Sequence, residues 1–497
     1  MTAARSSLLV ELCPDLRVAL TRCRFDADTL EELLGTDGLA ALSRSEAVPV
    51  RRLITGAGDL GILIRLFLLT DDCAVADVAA ALHPVAVDDA VAAGLLERTG
   101  DLVRAALDLR PLQLQDTPQW ILSDLDDSMA PRDITEDHVL GVGHASLSLL
   151  QATPTDPTGT VLDLGTGCGV QALHAVGYAT SVTATDVNPR ALWLAAASAA
   201  LNDVDIELVE GSWFEPVAGR TFDRVVANPP FVVGLARVAH NYRDSGLDLD
   251  GASKLVVSGT PELLAPNGSA AMLASWVHIE GEDWRQRVAS WLPDYGIDAW
   301  VVQRDVADPA LYVGTWQRDA GLDPRAEAAQ AQAQEWLEHF AAAGVEGIGF
   351  GYVYLRRIDA PTEVLAEDLT HGFSDPLGAE APAYFARSAW LREHDVLEAR
   401  FRVDAATALE RVFQPGAEGW NEVATRLHRG NGPSWSHDVD ELGVALVSGM
   451  RPDGLALSEL VELLAAAHTG EPASDDLLAS ASGLVRALVR HGLLTPA

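Results

Sequence analysis

"VLDLGTGCGVQAL", Val161 to Leu173, decides the fold of this chain. A short apolar run enters a turn with glycine at three alternate positions and leaves it as a helix. Gly165, Gly167 and Gly169 allow a tight backbone turn and let a ligand approach with no Cβ in the way. A dinucleotide-binding fingerprint wants GxGxxG, with its third glycine packing helix on strand. Here the third glycine arrives one residue early, and Asp163 stands two positions before the turn. A second acid, Asp186, closes the next strand-like run, "SVTATD". A carboxylate at that point accepts hydrogen bonds from two ribose hydroxyls. Its alternative duty is to cap the helix starting at Pro189, where Asn188 competes for the job. The carboxyl end of a strand is where open α/β sheets bind ligands, which favours the ligand role. Neither acid requires a pyrophosphate, and both suit an adenosyl group.

Working outward, "PRALWLAAASAALN" opens with proline at a helix's first turn and carries apolar residues at helical spacing. "IELVE", "FDRVVA", "GSAAMLASW", "IDAWVVQ" and "IGFGYVYLRR" read as further strands, with a helix over Lys254–Leu264. Strands alternating with crossover helices predict an α/β, doubly wound, largely parallel sheet covered on both faces. An insertion over Asp305–Val345, with a helix around Pro324–Ala343, separates the last two strands. "VVANPPFVVG" (Val225–Gly234) ends one strand abruptly, because neither proline can donate to a sheet ladder.

"VLDLGTGCG", "ATDVNPRAL" and "VVANPPF", in this order and spacing, resemble the class I S-adenosylmethionine-dependent methyltransferases. More narrowly they are similar to the branch with an Asn-Pro-Pro-aromatic motif. That branch holds HemK-like release-factor glutamine methyltransferases, N2-guanine ribosomal RNA methyltransferases and amino-group DNA methyltransferases. The resemblance covers roughly 200 of the 497 residues and implies a Rossmann-like sheet of seven strands. It implies S-adenosylmethionine as cofactor, held by Asp163, Gly165, Thr166, Gly167, Gly169, Asp186, Val187 and Asn188, with Asn228 beside it. Relatives often carry an acid after the third strand that meets the adenine amino group. This chain has Ser212 there, followed by Trp213, which is suited either to stacking or to the core. "DHVLGVGHASLSLL" (Asp137–Leu150) occupies the place where relatives lay a loop and helix over the cofactor.

Such enzymes methylate a nitrogen attached to an sp² carbon, a poor nucleophile because its lone pair is delocalised. Two acceptors aimed at its N–H groups steer the lone pair towards the methyl and stabilise the developing positive charge. The Asn228 side-chain oxygen supplies one acceptor. The Pro229 carbonyl supplies the other, stiffened because Pro230 restricts the residue before it. Phe231 offers a stacking wall for the planar target. No metal is required. His240, Tyr242 and Arg243, in the polar loop that follows, are candidate substrate contacts.

The flanks predict separate modules. Residues 1–112 read as mainly helical and winged-helix-like, and 113–157 as a linker and helix leading to a catalytic domain over 158–358. Residues 359–497 read as mainly helical, ending in a looser winged-helix-like segment. Both winged-helix-like modules end a helix in Gly-Leu-Leu, at Gly94 and Gly492. The reading helix of the first offers Asp88 and Asp89 where a DNA reader offers Arg, Lys, Asn or Gln, so a packing or protein-docking module is the better expectation. Cys13, Cys23, Cys73 and Cys168 show neither metal nor disulfide spacing. No signal-peptide pattern opens the sequence, so a cytoplasmic protein is expected.

The formal charge is −37, from 72 acidic and 35 basic residues, with Lys254 the single lysine. That field repels polyanions unless basic groups are concentrated locally. The HemK-like resemblance implies a protein side-chain amide as the acceptor, and the acidic chain is consistent with that. A base amine of ribosomal RNA or another nucleic acid is the alternative, supported by arginines interleaved with tryptophans over Arg387–His437. Acids in that same stretch favour reading it as a solvated helical surface. A scaffold that binds cofactor without turnover is the remaining alternative, against which the intact Asn228–Phe231 turn argues.

Overall fold

The computed structural model describes residues 3–126, 129, 135, 137–236, 246–319, 322–372, 376–417 and 419–497, with the backbone alone at 3–6 and 319. Contacts divide the chain into two compact units, Met1–Leu150 with Thr155–Asp368, and Gln151–Pro154 with Leu369–Ala497.

The first unit is built on one eight-stranded sheet. Its strands are β1 (Thr158–Leu164), β2 (Ala179–Asp186), β3 (Glu207–Glu210), β4 (Phe222–Ala227), β5 (Leu264–Ile279), β6 (Tyr295–Ala307), β7 (Val345–Pro361) and β8 (Glu363–Asp368). Their order across the sheet is β8-β6-β7-β5-β4-β1-β2-β3. Only β7 runs against its neighbours. The other pairings are parallel. Reversal of strand order beside β1 creates the crevice at which doubly wound sheets hold ligands. The expected count was seven strands, and β8 is the addition. It pairs with the outer edge of β6, fixed by Gln303 Nε2 donating to Asp368 Oδ1 at 2.7 Å and Trp300 Nε1 to Glu367 Oε2 at 2.8 Å. The sheet therefore continues past the expected boundary at residue 358.

The connecting helices bury the sheet. Helices α1 (His144–Ala152), α2 (Val170–Val176) and α3 (Pro189–Asn202) precede or join β1, β2 and β3. Helices α4 (Gly251–Leu263) and α5 (Trp284–Ala289) precede β5 and β6, and α6 (Pro309–Asp319) and α7 (Glu327–Ala342) are inserted between β6 and β7. Residues of α2 and α3 share a core with Leu9, Leu16, Leu20, Trp120 and Leu122 from the N-terminal region. A second core joins Val256, Val257, Trp284 and Val288 to Leu162, Val225 and Met272. Burial of this kind, at about 25 cal/mol per Å² of apolar surface, is the main favourable contribution to the fold.

A hairpin, Leu107–Leu114 with Thr117–Asp124, crosses the expected boundary at residue 112 and occupies the start of the segment expected as a linker. Its open edge is closed by α3 side chains. Trp120 N donates to Asn202 Oδ1 at 2.9 Å, Asn202 Nδ2 donates back to Trp120 O at 2.7 Å, and Leu122 N donates to Ser198 Oγ at 3.0 Å. The N-terminal region is therefore part of the same compact unit as the sheet. Within it, Gly58–Leu63, Cys73–Ala74, Val75–Ala81, Val87–Ala92, Leu96–Thr99 and Leu102–Ala105 follow the helix–strand–helix–helix–strand–strand order of a winged helix. Asp88 and Asp89 are exposed on its third helix. All four cysteines are buried and free.

The second unit departs from the helical expectation. After the helix Leu377–Glu393 the chain forms a long ribbon, Thr407–Gly416 paired with Gly419–Arg429, joined by Ser436–Asp438. Helices Glu441–Gly449, Leu457–Thr469 and Asp475–Arg490 follow, and Leu494–Pro496 pairs with Phe401–Val403. The stretch Arg387–His437 is thus mostly ribbon and turn, not a helical surface. Its charges are largely answered locally. Arg387 and Arg429 meet the buried Glu380, Arg426 pairs with Asp438 at 2.7 Å, and Arg411 with Glu422 at 3.4 Å. Trp435 stacks on His491 with centroids 4.3 Å apart. No helix among the described residues is long and apolar enough to cross a membrane.

Candidate active site at the carboxyl edge of the sheet

Strand register brings the three quoted motifs together. Leu164 of β1 is level with Thr185 of β2 and with Ala227 of β4. The next residues, Gly165, Asp186 and Asn228, therefore lie side by side at one edge of the sheet.

The glycine turn is held by the neighbouring strand. Gly165 N and Thr166 N both donate to Thr185 O at 2.9 Å. Gly165 (φ 76°) and Gly167 (φ 56°) occupy the left-handed region, and a Cβ built on either would meet nothing within 4 Å. The turn therefore presents bare backbone to open space, a cradle that side chains would fill. Gly169 (φ 90°) serves packing instead, since its Cβ would stand 3.2 Å from the Ala195 Cβ.

Asp163 is 1 % exposed and accepts from Thr166 Oγ1 at 2.6 Å and from Ala172 N at 3.0 Å, both through Oδ2. Its Oδ1 is buried without a partner. Burial pushes this carboxyl up to about 7, against the hydrogen bonds that favour its charged form. Asp186 accepts from Gly167 N at 2.9 Å through one oxygen and from Asn188 N at 2.8 Å through the other. Burial raises its pKa too. The capping alternative falls away, because Asn188 is the N-cap of α3 and accepts from Arg190 N. Each Asp186 oxygen retains a second lone pair for a ligand. Val187 beside it is 58 % exposed, an apolar surface at the mouth of the cradle.

The segment expected over the cofactor is anchored here as well. Asn188 Nδ2 donates to Asp137 O at 2.9 Å. Asp124 accepts from Val139 N at 2.9 Å and pairs with Arg190, whose Nε donates at 2.7 Å. Ser212 and Trp213 lie in the turn after β3. Trp213 adopts φ 48° and is half-buried against the second core together with Phe214.

At β4 the ladder stops at Ala227. Asn228 is half-buried, and its Nδ2 donates to Ser146 Oγ of α1 at 3.4 Å, while its Oδ1 is an acceptor. Pro229 is buried, and the Phe231 ring lies 5.3 Å from that of Phe350 on β7. The neighbouring Cys168 thiol is pushed up to about 12 by burial, so it offers no thiolate at neutral pH. His240, Tyr242 and Arg243 lie outside the described residues. Ser146, Tyr312, Trp336 and Phe350 were not singled out by sequence reasoning. Ser146 falls inside a stretch that reasoning did assign to the pocket. The other three give only an apolar helical or strand pattern, which does not say where their side chains land.

Comparison with known proteins finds likenesses for parts of this chain. Residues 140–259 match the model of the methyltransferase small domain. Residues 22–106 and 382–496 match two domains of unknown function, DUF7059 and DUF7782. Among curated relatives, a release factor glutamine methyltransferase of Deinococcus radiodurans is 46 % identical over 74 residues, covering 14 % of this chain and 26 % of the relative. The same enzyme of Cereibacter sphaeroides is 34 % identical over 159 residues, 29 % of this chain and 52 % of the relative. Ribosomal RNA small subunit methyltransferase C of Erwinia tasmaniensis is 28 % identical over 178 residues, 35 % of this chain and 48 % of the relative. The chain spans from a quarter to about half the length of these relatives.

Proposed function

We propose that this chain is an S-adenosylmethionine-dependent N-methyltransferase whose acceptor is a carboxamide nitrogen of a protein. The observation that carries the reading is the shared edge. The open glycine cradle, the Asp186 carboxylate and the Asn228–Phe231 turn leave three adjacent strands at one level. The residues fit the cofactor. Gly165 and Gly167 offer unshielded backbone, Asp186 offers acceptors to ribose hydroxyls, Val187 offers an apolar surface, and Asp163 offers an unpartnered buried oxygen. When bound, the cofactor supplies a methyl group already activated by a sulfonium.

The rest falls to this chain's own atoms. Asn228 Oδ1 and the Pro229 carbonyl accept the two N–H groups of a planar amide, which aligns its lone pair. They also stabilise the positive charge that grows on nitrogen in the transition state. Ser146 turns the Asn228 amide by accepting from its Nδ2. Phe231 limits the acceptor to a flat group. The proton is lost after transfer, when the nitrogen has become acidic, so no strong base is needed beside it.

Two features support a protein acceptor, namely the release-factor relatives and the −37 charge, which disfavours a polyanion. A base amine is the second reading, supported by the longer match to the ribosomal RNA enzyme. The test is transfer of radiolabelled methyl from S-adenosylmethionine into a cell extract. We expect label in material destroyed by protease and resistant to RNase. Label lost to RNase alone would establish the second reading, and cofactor binding with no transfer to any fraction would overturn both.

A further inference from the structure

The two helices inserted between β6 and β7 are remote in sequence from the Asn-Pro-Pro-Phe turn, yet they hold the chain that leaves it. β4 ends at Ala227, and Pro229 and Pro230 have no N–H, so residues 228–234 have left the sheet ladder. A buried N–H in such a segment must find a partner elsewhere. Val233 is 0 % exposed, and its N–H donates to the Tyr312 hydroxyl of α6 at 2.7 Å. One residue on, Gly234 lies under the Trp336 indole of α7. A Cβ there would stand 3.0 Å from Trp336 Cη2, so glycine is what lets the ring settle on the backbone.

These contacts belong to a small core of their own. Val233 packs with Val277, Tyr312, Val313, Phe340, Val345 and Ile348. Tyr312 meets the Phe340 ring edge-on at 6.2 Å, and Trp336 meets it at 6.1 Å. Gln317 Nε2 donates to Ala329 O at 2.6 Å and ties α6 to α7. The same helical pair reaches the chain again further on. His339 Nε2 lies 2.8 Å from Asp248 Oδ1, and Leu249 N donates to Gly234 O at 2.9 Å.

We propose that Tyr312 and Trp336 are positioning residues for methyl transfer, which keep the Asn228 and Pro229 oxygens in fixed relation to the cofactor cradle. The inference rests on the methyltransferase reading above. Neither residue touches the reacting atoms; both act through the backbone of Val233 and Gly234. A misplacement on the order of 1 Å at the acceptor oxygens lowers a rate by about a hundredfold. The loss of one tether that leaves the fold intact is therefore expected to cost about tenfold.

The test compares wild type, Tyr312→Phe and Asn228→Ala on one methyl-accepting fraction over a range of S-adenosylmethionine concentrations up to saturation. Amide hydrogen exchange of the peptide spanning 228–236 is followed in parallel. Tyr312→Phe should keep the KM for S-adenosylmethionine within about twofold and lower kcat about tenfold, while exchange at the peptide speeds up. A purely structural role would move the melting temperature and leave kcat of the folded fraction alone. Unchanged kcat in Tyr312→Phe, with Asn228→Ala inactive, overturns the inference and spares the methyltransferase reading. If wild type transfers nothing, that reading fails, and the exchange decides alone. Faster exchange in Tyr312→Phe upholds the tether, and unchanged exchange overturns it.

Discussion

At the scale of single residues, the two acids of the cradle do different work because their surroundings differ. Asp163 is sealed in, and burial holds its folded pKa near 7, against an ordinary carboxyl value of 3.8. The folded state therefore keeps a proton between those values that the unfolded chain has lost. Stability contributed by this group falls as pH rises from about 4 to about 7 and is flat above, a loss on the order of 4 kcal/mol. Asp163→Asn should remove that component. The melting temperature of wild type is expected to rise relative to that of the variant as pH falls from 8 to 5, and a pH-independent difference would contradict the assignment. Asp186 meets two backbone N–H groups, one on each oxygen. In Asp186→Asn the new NH₂ must face one of those donors. We expect cofactor affinity, measured by calorimetry, to fall at least tenfold, about 1.4 kcal/mol or more.

At the scale of elements, the glycine turn was legible because its demands are local. Positive φ at 165, 167 and 169 is written in the residue type. Gly169→Ala adds left-handed strain of about 1–2 kcal/mol to a contact of 3.3 Å with the Ala195 Cα. A melting-temperature drop of several degrees is the expected result. The strands of the sheet were legible too, since residues such as Met272–Val277 are buried in an unbroken run. The ribbon Thr407–Arg429 was not. It is exposed on both sides over most of its length, with Trp420 71 % exposed, so no alternation of core and solvent faces marks it. Arginines and glutamates at mixed spacing pulled the reading towards a helix. The insertion was seen as helical but its purpose was not. Tyr312 and Trp316, like Trp336 and Phe340, repeat at i, i+4 and announce an apolar stripe, but only tertiary contact shows that the stripe ends on Val233. β8 was missed for a related reason, as an edge strand of six residues whose pairing with β6 is non-local.

At the scale of the whole molecule, the charge of −37 surrounds every encounter. A cationic protein acceptor would be drawn in by that field, and a nucleic acid repelled by it. For a basic protein acceptor, kcat/KM should fall as salt rises from about 0.05 to 0.5 M, the range over which the Debye length shortens from more than 10 Å to under 5 Å. An RNA acceptor met without a local basic patch would show the opposite slope. The central claim is narrower than the choice of acceptor. It holds that a rigid pair of oxygens at the end of β4, beside the cradle, performs the transfer. The direct measurement is single-turnover methyl transfer by wild type and Asn228→Ala, each preloaded with labelled S-adenosylmethionine of measured affinity. The account predicts equal cofactor binding and a rate lower by about two to three powers of ten in the variant. Equal rates in the two proteins would contradict it.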